Sequence, residues 1–185
     1  LALASKRPSG ALEGPHGAGK STMADKLQEA LSDLGIAAEA FHHKRPHEYA
    51  SAWESALFYA QERANITSAF PCDDAPRVLV CDRWTLSTRV EALSAADHRS
   101  CAPYLSLADA EDQALPRAQY IILDAPPNVL AERIAARGEP IDPHADKIRA
   151  HYLATARDDE WPVVDTSQPR DTVLAQLVAI VQGWL

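Results

Sequence analysis

The chain has 185 residues, a formal net charge of -8, and 46% hydrophobic against 24% charged residues. These values are typical of one folded domain spanning residues 1–185, and they exclude a disordered or fibrous protein. The negative charge disfavours a nucleic-acid partner, and no apolar run reaches the roughly 18 residues that a membrane-spanning helix requires. The three cysteines show no disulfide or zinc spacing, and the first residues lack the order of a signal peptide, so we expect a cytoplasmic location.

Segments typical of strands and helices alternate along the chain. Short apolar runs predict strands at residues 10–13, 36–41, 77–81, 119–123 and 163–165. Helical periodicity and breakers predict helices at residues 20–34, 47–70, 87–96 and 126–138, one that ends near 157, and one at 171–184. In the first helix Met23, Leu27, Leu31 and Leu34 form the apolar stripe, and Gly35 ends it. Residues 98–116 give no clear pattern. The alternation predicts an α/β fold with a five-stranded parallel sheet flanked by helices.

The most specific motif follows the first strand and reads Gly14-Pro15-His16-Gly17-Ala18-Gly19-Lys20-Ser21-Thr22. It fits G-x-x-x-x-G-K-[ST], the loop whose backbone N–H groups surround nucleotide phosphates. Lys20 adds a positive charge, Ser21 offers a hydroxyl ligand to Mg²⁺, and the following helix directs its positive end at the same point. The motif and the parallel sheet together predict a three-layer P-loop NTPase fold.

Further candidate residues are acidic or basic side chains near strand ends and loops. Asp82 and Arg83 end the third strand, at the sheet edge where α/β proteins bind ligands. Asp82 could orient a Mg²⁺-bound water or act as a base, and Arg83 could clamp a phosphate bidentately, unless the pair merely ends a strand.

Two pairs at a spacing of four share helix faces. Tyr59 could stack on a base whose edge Arg63 would hydrogen-bond, although a core aromatic beside a solvated arginine gives the same pattern. Arg133 and Arg137 border a loop, residues 137–147, that we interpret as a short mobile lid closing over donor phosphates; a solvated helix face is the alternative.

The segment His42-His43-Lys44-Arg45-Pro46 is expected to be a basic loop, and its two histidines cluster with His47. Because no acids or cysteines accompany them at ligand spacing, these are interpreted as loop histidines, not as a metal site.

Several segments resemble the thymidylate kinase family of P-loop nucleoside-monophosphate kinases. The P-loop with Leu12-Glu13 before it is similar to that family's opening, Leu57–Arg63 to its aromatic-then-Arg helix, and Val80–Ser87 to its Asp-Arg-Tyr-x-x-Ser segment. Later landmarks are Leu123–Pro127, Arg133–Gly138 and Asp165–Pro169. His16 stands where the family has an Asp that contacts the acceptor sugar, and Lys44-Arg45-Pro46 replaces its Arg-Glu-Pro.

The resemblance implies ATP and Mg²⁺ as donor and cofactor and a nucleoside monophosphate as acceptor, with a thymidylate-like pyrimidine as the default. It implies that the catalytic residues are Lys20, Asp82, Arg83, Arg133 and Arg137. The P-loop residues and Gln168 would bind the donor nucleotide. His16, Tyr59, Arg63, Arg83 and Ser87 would bind the acceptor, and Ser21 and Asp82 the metal. A homodimer is implied by resemblance alone.

Two other functions remain open at this point. The acceptor could be a deoxynucleoside, with Asp82 as general base, or a modified nucleotide. The chain could also be a non-catalytic nucleotide-binding module or switch, although the Asn-Lys-x-Asp and Asp-x-x-Gly signatures of a GTPase are missing from the sequence.

Overall fold

The five predicted strands form one parallel sheet. A computed structural model describes residues 9–43, 52–69, 77–94 and 98–185. The strands are β1 (Ser9–Glu13), β2 (Ala37–His42), β3 (Arg77–Asp82), β4 (Gln119–Asp124) and β5 (Val163–Asp165), in the spatial order β2-β3-β1-β4-β5. All four neighbouring pairs are parallel, which confirms the predicted sheet.

Seven helices lie within the described ranges, six of them between strands and the seventh after β5. They are α1 (Lys20–Asp33), α2 (Ala52–Ala69), α3 (Thr85–Ser94), α4 (His98–Ala114), α5 (Pro127–Ala135), α6 (Ala145–Asp158) and α7 (Arg170–Gln182). The start predicted for the second helix, at 47, lies outside the described residues, as do Lys44, Arg45, Pro46 and His47. Helix α4 was not predicted, because Pro103 lies inside it and reads as a helix breaker.

The core has two sides, because successive residues of a strand face opposite ways. Leu12, Val80 and Leu123 pack with residues of α1 and α7 on one face. Ala11, Cys81 and Ile122 lie on the other face, where the cores include Trp84 and residues of α3 and α6. Helices therefore cover both faces of the sheet, which gives the three-layer P-loop fold expected from the sequence.

Helix α1 carries the P-loop and follows the predicted stripe with one correction. Met23, Leu27 and Leu31 are buried, whereas Leu34, expected on the same stripe, is 55% exposed. Leu34 comes after the last helical residue, and the chain turns at Gly35 with φ +76°, so its side chain points away from the core.

The strand order places the functional segments together. Strand β1 pairs with β3, with Leu12 opposite Asp82, and β3 pairs with β2, with His42 opposite Asp82. The carboxyl ends of β1, β2 and β3 therefore meet at one edge of the sheet, beside the point where the chain crosses from β3 to β4.

Among the described helices, none is long and apolar enough to cross a membrane.

Candidate functional site: the P-loop and the end of strand β3

The P-loop is closely packed on its inner side and open on its outer side. Gly14 and Gly17 have φ of +135° and +82°, and a Cβ atom at Gly14 would overlap the carbonyl oxygen of Leu123. Gly19, with φ +84°, would meet no heavy atom within 4 Å. The glycines thus let the loop lie against β4 and α5 while leaving its far side accessible to a ligand.

Lys20 is folded back onto the loop that precedes it. Its Nζ donates hydrogen bonds to the carbonyl oxygens of Gly14 at 2.9 Å and Pro15 at 2.8 Å, and the residue is buried. Burial, followed by the positive charge of Arg83, lowers the pKa of Lys20 to about 7. A phosphate placed beside Nζ would restore the charged form, so anion binding and protonation of Lys20 are coupled.

Arg83 has the backbone conformation of a functional turn. Its φ is +75°, which a side chain with a Cβ adopts at a cost of about 1–2 kcal/mol. Its N–H donates to the carbonyl of Leu12 at 3.1 Å, and its Nη1 donates to Ser87 Oγ at 3.0 Å and Tyr152 Oη at 3.3 Å. Burial alone would lower the pKa of Arg83. The nearby Tyr152, Glu91 and other acidic groups outweigh that effect and raise the pKa above its usual value, so the guanidinium stays charged.

Glu13 is the buried residue that fixes this arrangement. It is fully buried, and its Oε1 accepts from the backbone N–H groups of Trp84 at 2.6 Å and Ser87 at 3.2 Å. Its Oε2 accepts from Ser87 Oγ at 2.6 Å and Tyr152 Oη at 3.1 Å. Glu13 therefore joins β1 to the start of α3 and to α6, and it holds both hydroxyls that contact Arg83.

Asp82 is part of a chain of three side chains. Its Oδ2 lies 3.3 Å from His42 Nδ1, and His42 Nε2 lies 2.8 Å from Asp25 Oδ1. Partial burial lowers the pKa of His42, but its hydrogen bonds to Asp25 and Asp82 raise it by more. His42 belongs to strand β2, so its interpretation as a loop histidine is wrong. The acids that bind it come from α1 and β3 and could not be recognised from sequence spacing.

Arg63 is held by other protein groups. It is 1% exposed, and its Nε and Nη2 donate to the two carboxylate oxygens of Glu111 at 2.7 and 2.9 Å. Nη2 also donates to Thr88 Oγ1 at 2.9 Å. Tyr59, one turn away on α2, meets the ring of His43 edge to face at 5.3 Å. Much of the hydrogen-bonding capacity that was expected to face a base is therefore directed at α3 and α4.

The remaining predicted residues are distributed around the P-loop. Arg133 donates to the carbonyls of Gly17 at 3.3 Å and Thr166 at 2.7 Å, which joins the P-loop to the segment after β5. Arg137 lies 3.5 Å from the Glu139 carboxylate, which is also 4.0 Å from His16 Nδ1. Gln168 is exposed and donates to Asp165 at 3.1 Å, and it lies outside the two cavities described next.

Two adjoining cavities open at this edge of the sheet. The smaller, of about 530 Å³, is lined by the P-loop, the ends of β2 and β3, and α2. It includes Lys20, Ser21, Thr22, Asp82, Arg83, Tyr59, Arg63 and Arg137. The larger, of about 1080 Å³, lies along residues 139–146 of the expected lid, and the two cavities share His16, Arg83 and Glu91. Ser87 lines neither cavity and contacts Arg83 from behind.

Sequence reasoning missed the residues that support this site. In the sequence Glu13 belongs only to the family's opening motif, and no motif includes Tyr152, Asp25 or Glu111. Glu13 carried one signal, since it is a charged residue at the end of a strand that must be buried next to the P-loop. Arg63 and Glu111 are 48 positions apart, and no local pattern connects them.

The fold and the site define a P-loop nucleotide-binding domain, with a phosphate loop, an adjacent lysine and an acidic-basic pair at the end of the neighbouring strand. A family model described as an AAA domain matches residues 11–154. The chain therefore belongs to this family, a P-loop domain of the kinase-like type. No curated protein shows a significant match to the sequence.

Proposed function

We propose that this protein is a nucleoside-monophosphate kinase that transfers the γ-phosphate of ATP to the phosphate of a thymidylate-like pyrimidine nucleotide. The observation that carries the proposal is the composition of the smaller cavity. It joins the P-loop residues Lys20 and Ser21 to Arg83 and to the aromatic Tyr59. A hydrolase needs a single nucleotide site, whereas this cavity extends from a phosphate loop to an aromatic wall. Its volume of about 530 Å³ lies within the range of small-molecule sites, about 300–1,000 Å³.

The cations support transfer between two anionic groups. Phosphoryl transfer needs positive charge around the transferred phosphoryl group and around the attacking and leaving oxygens. The protein itself has little covalent chemistry to perform in the reaction. In the proposed complex Lys20 contacts the donor phosphates and Arg83 the acceptor phosphate. Arg83 is suited to this role because Ser87 and Tyr152 hold its guanidinium in place, which reduces the reorganisation needed during the reaction.

The residues present fit a magnesium ion that is held mostly by substrate. Mg²⁺ prefers oxygen ligands and keeps several waters, and the Ser21 hydroxyl and the Asp82 carboxylate both line the cavity. Within the described residues no group of three or more His, Cys, Asp or Glu side chains could hold a metal alone, so the proposal assigns the other ligands to phosphates and water. When bound, Mg²⁺ would neutralise phosphate charge. The contact with His42 Nδ1 holds the Asp82 carboxylate in place.

Three residues, from α5, the lid segment and the P-loop, complete the proposal. Arg137 lines the cavity and would add charge at the donor phosphates, while Arg133 positions the P-loop through Gly17. His16 lies between both cavities at a point where the related family has an Asp near the acceptor sugar. An imidazole and a carboxylate interact differently with hydroxyls. We therefore expect the sugar preference of this protein to differ from that of the related family because of His16.

A panel of acceptors tests the proposal. ADP formation from Mg-ATP would be measured with dTMP, dUMP, dCMP, purine nucleoside monophosphates and the free nucleosides. The proposal predicts that dTMP or another pyrimidine monophosphate stimulates ADP release, and that thymidine does not. Stimulation by free nucleosides alone would favour the deoxynucleoside kinase, and no stimulation by any acceptor would favour a non-catalytic module.

A further inference from the structure

His43 is a buried imidazole whose ring nitrogens find no well-formed hydrogen bond among the residues that the structure describes. It follows β2, its side chain is 7% exposed, and it lines the smaller cavity. Both ring nitrogens are buried, and neither has a partner with full hydrogen-bond geometry in the described part of the chain, although a looser contact with the Arg83 backbone favours the protonated ring. Nδ1 lies 3.5 Å from the Glu62 carboxylate without hydrogen-bond geometry. Buried polar side chains are rarely left in this state, so the position calls for a functional explanation.

Aromatic rings fix the orientation of His43. Its ring packs edge to face against Phe41, with centroids 4.9 Å apart, and against Tyr59, with centroids 5.3 Å apart. The neighbouring His42 differs, since both of its ring nitrogens contact carboxylates. These contacts with two aromatic rings hold the imidazole in one orientation, which suits contact with a planar ligand.

His43 is uncharged at neutral pH, which suits an uncharged ligand better than a phosphate. Burial, followed by the charge of Arg63, lowers the pKa of His43 to about 4, so at neutral pH the ring offers one N–H donor and one acceptor. Lys20 and Arg83 already supply cations in the same cavity. Arg63, which was expected to read a base edge, has two of its nitrogens bonded to Glu111 and Thr88.

We propose that His43 hydrogen-bonds the edge of the acceptor's nucleobase and is a specificity-determining residue of this enzyme. The inference rests on the proposed function, because it requires a nucleotide acceptor beside Tyr59. A neutral imidazole can donate to a carbonyl such as O4 of thymine or uracil, or accept from an amino or imino group, through one ring nitrogen. The protein thus leaves the nitrogen unpaired so that the ligand completes the contact.

Steady-state kinetics of His43→Phe and His43→Asn test the proposal. Phe keeps the ring packing and removes both nitrogens, while Asn keeps a donor and an acceptor. We expect His43→Phe to raise the KM of the preferred acceptor about 10-fold or more, as loss of a buried hydrogen bond implies, with the KM of ATP changed less than about 2-fold. In His43→Phe the differences in kcat/KM among pyrimidine acceptors should become smaller. His43→Asn should have an acceptor KM between those of wild type and His43→Phe. Melting temperature should not fall in His43→Phe, because two unsatisfied polar atoms are removed.

A matched control and a measurement on the unaltered protein separate the possible failures. His151→Phe removes a half-buried imidazole of α6 outside both cavities and should leave every KM unchanged. In ¹⁵N-labelled wild-type protein, saturating acceptor should shift one ring nitrogen of His43, which tests the contact even if the Phe variant fails to fold.

Four results would overturn the inference. An unchanged acceptor KM in His43→Phe, or an unchanged ring-nitrogen signal, would refute it while the proposed function stands. A loss that depends on the sugar hydroxyl and not on the base would move the contact to the sugar and refute the assignment to the base. Absence of wild-type turnover with every nucleoside monophosphate would refute the proposed function, and this inference with it.

Discussion

Replacing Glu13 tests how the Arg83 turn is held. Glu13→Ala removes the acceptor for the backbone N–H groups of Trp84 and Ser87 and for two hydroxyls, all in a fully buried position. Glu13→Gln keeps one carbonyl oxygen for the backbone donors, and the hydroxyls of Ser87 and Tyr152 can rotate to accept from the new amide.

The expected cost follows from these contacts. An unsatisfied buried Trp84 N–H costs about 1–3 kcal/mol, and each further hydrogen bond lost costs about 1 kcal/mol. The Ser87 and Tyr152 hydroxyls lie 3.0 Å apart and can bond to each other, and removing a buried carboxylate recovers part of the loss. We therefore expect Glu13→Ala to lose about 2–4 kcal/mol, or about 5–15 °C in Tm, and Glu13→Gln about 1 kcal/mol or less.

The contribution of Glu13 to the free energy of unfolding changes with pH in one direction. Burial raises the pKa of Glu13, so the folded state binds this proton more tightly than the unfolded state does. The stability contributed by this group is therefore present below the unfolded pKa, about 4.3, and falls as pH rises through the window up to the folded pKa. Gln does not titrate, so the stability of Glu13→Gln relative to wild type should increase as the pH rises above about 4.3, which melts recorded from about pH 4.5 to about pH 7.5 measure. Thermal melts across that range would refute the reasoning if Ala and Gln variants melted together, or if Glu13→Ala melted within about 2 °C of wild type.

Two further predictions concern the cations of the site. Because the pKa of Lys20 is lowered to about 7 in the free protein and phosphate favours its charged form, ATP binding at pH 8 should take up nearly one proton. Calorimetry in buffers of different ionisation enthalpy measures this uptake; Lys20→Arg, which stays charged, should show none, and equal uptake in both proteins would contradict the assignment. Arg83→Lys should lower kcat about 10²–10³-fold with little change in Tm, because a lysine keeps the charge but loses the fork held by Ser87 and Tyr152. Arg89→Lys, which alters a surface pair with Asp109 and Asp112, is the matched control, and an equal loss there would refute a specific role for Arg83.

The sequence was sufficient for features that depend on local patterns. The P-loop was predicted because its glycines, Lys20 and Ser21 must stand at fixed spacings to surround a phosphate. The parallel sheet was predicted because buried strands such as β3 and β4 are short apolar runs separated by helices. Helix α4 was missed because Pro103 is a breaker by local rules, and packing against α3 and α2 overrides that preference.

Features that depend on distant contacts could not be predicted. The spacing of Tyr59 and Arg63 correctly placed both on one helix, but the partners of Arg63 come from α3 and α4. His43 reads as a polar loop residue next to Lys44, and its burial depends on how Phe41 and Tyr59 pack around it. Such pairings join residues far apart in the chain, so they become visible only in the folded structure.

³¹P NMR of the protein with Mg-ATP and dTMP distinguishes phosphoryl transfer from hydrolysis of ATP in one measurement. Phosphoryl transfer predicts two new coupled doublets from a nucleoside diphosphate product of dTMP, formed in equal amount with ADP and only when the acceptor is present. Release of inorganic phosphate at a rate independent of dTMP and the other acceptors would show an ATPase, and would contradict the proposed phosphoryl transfer.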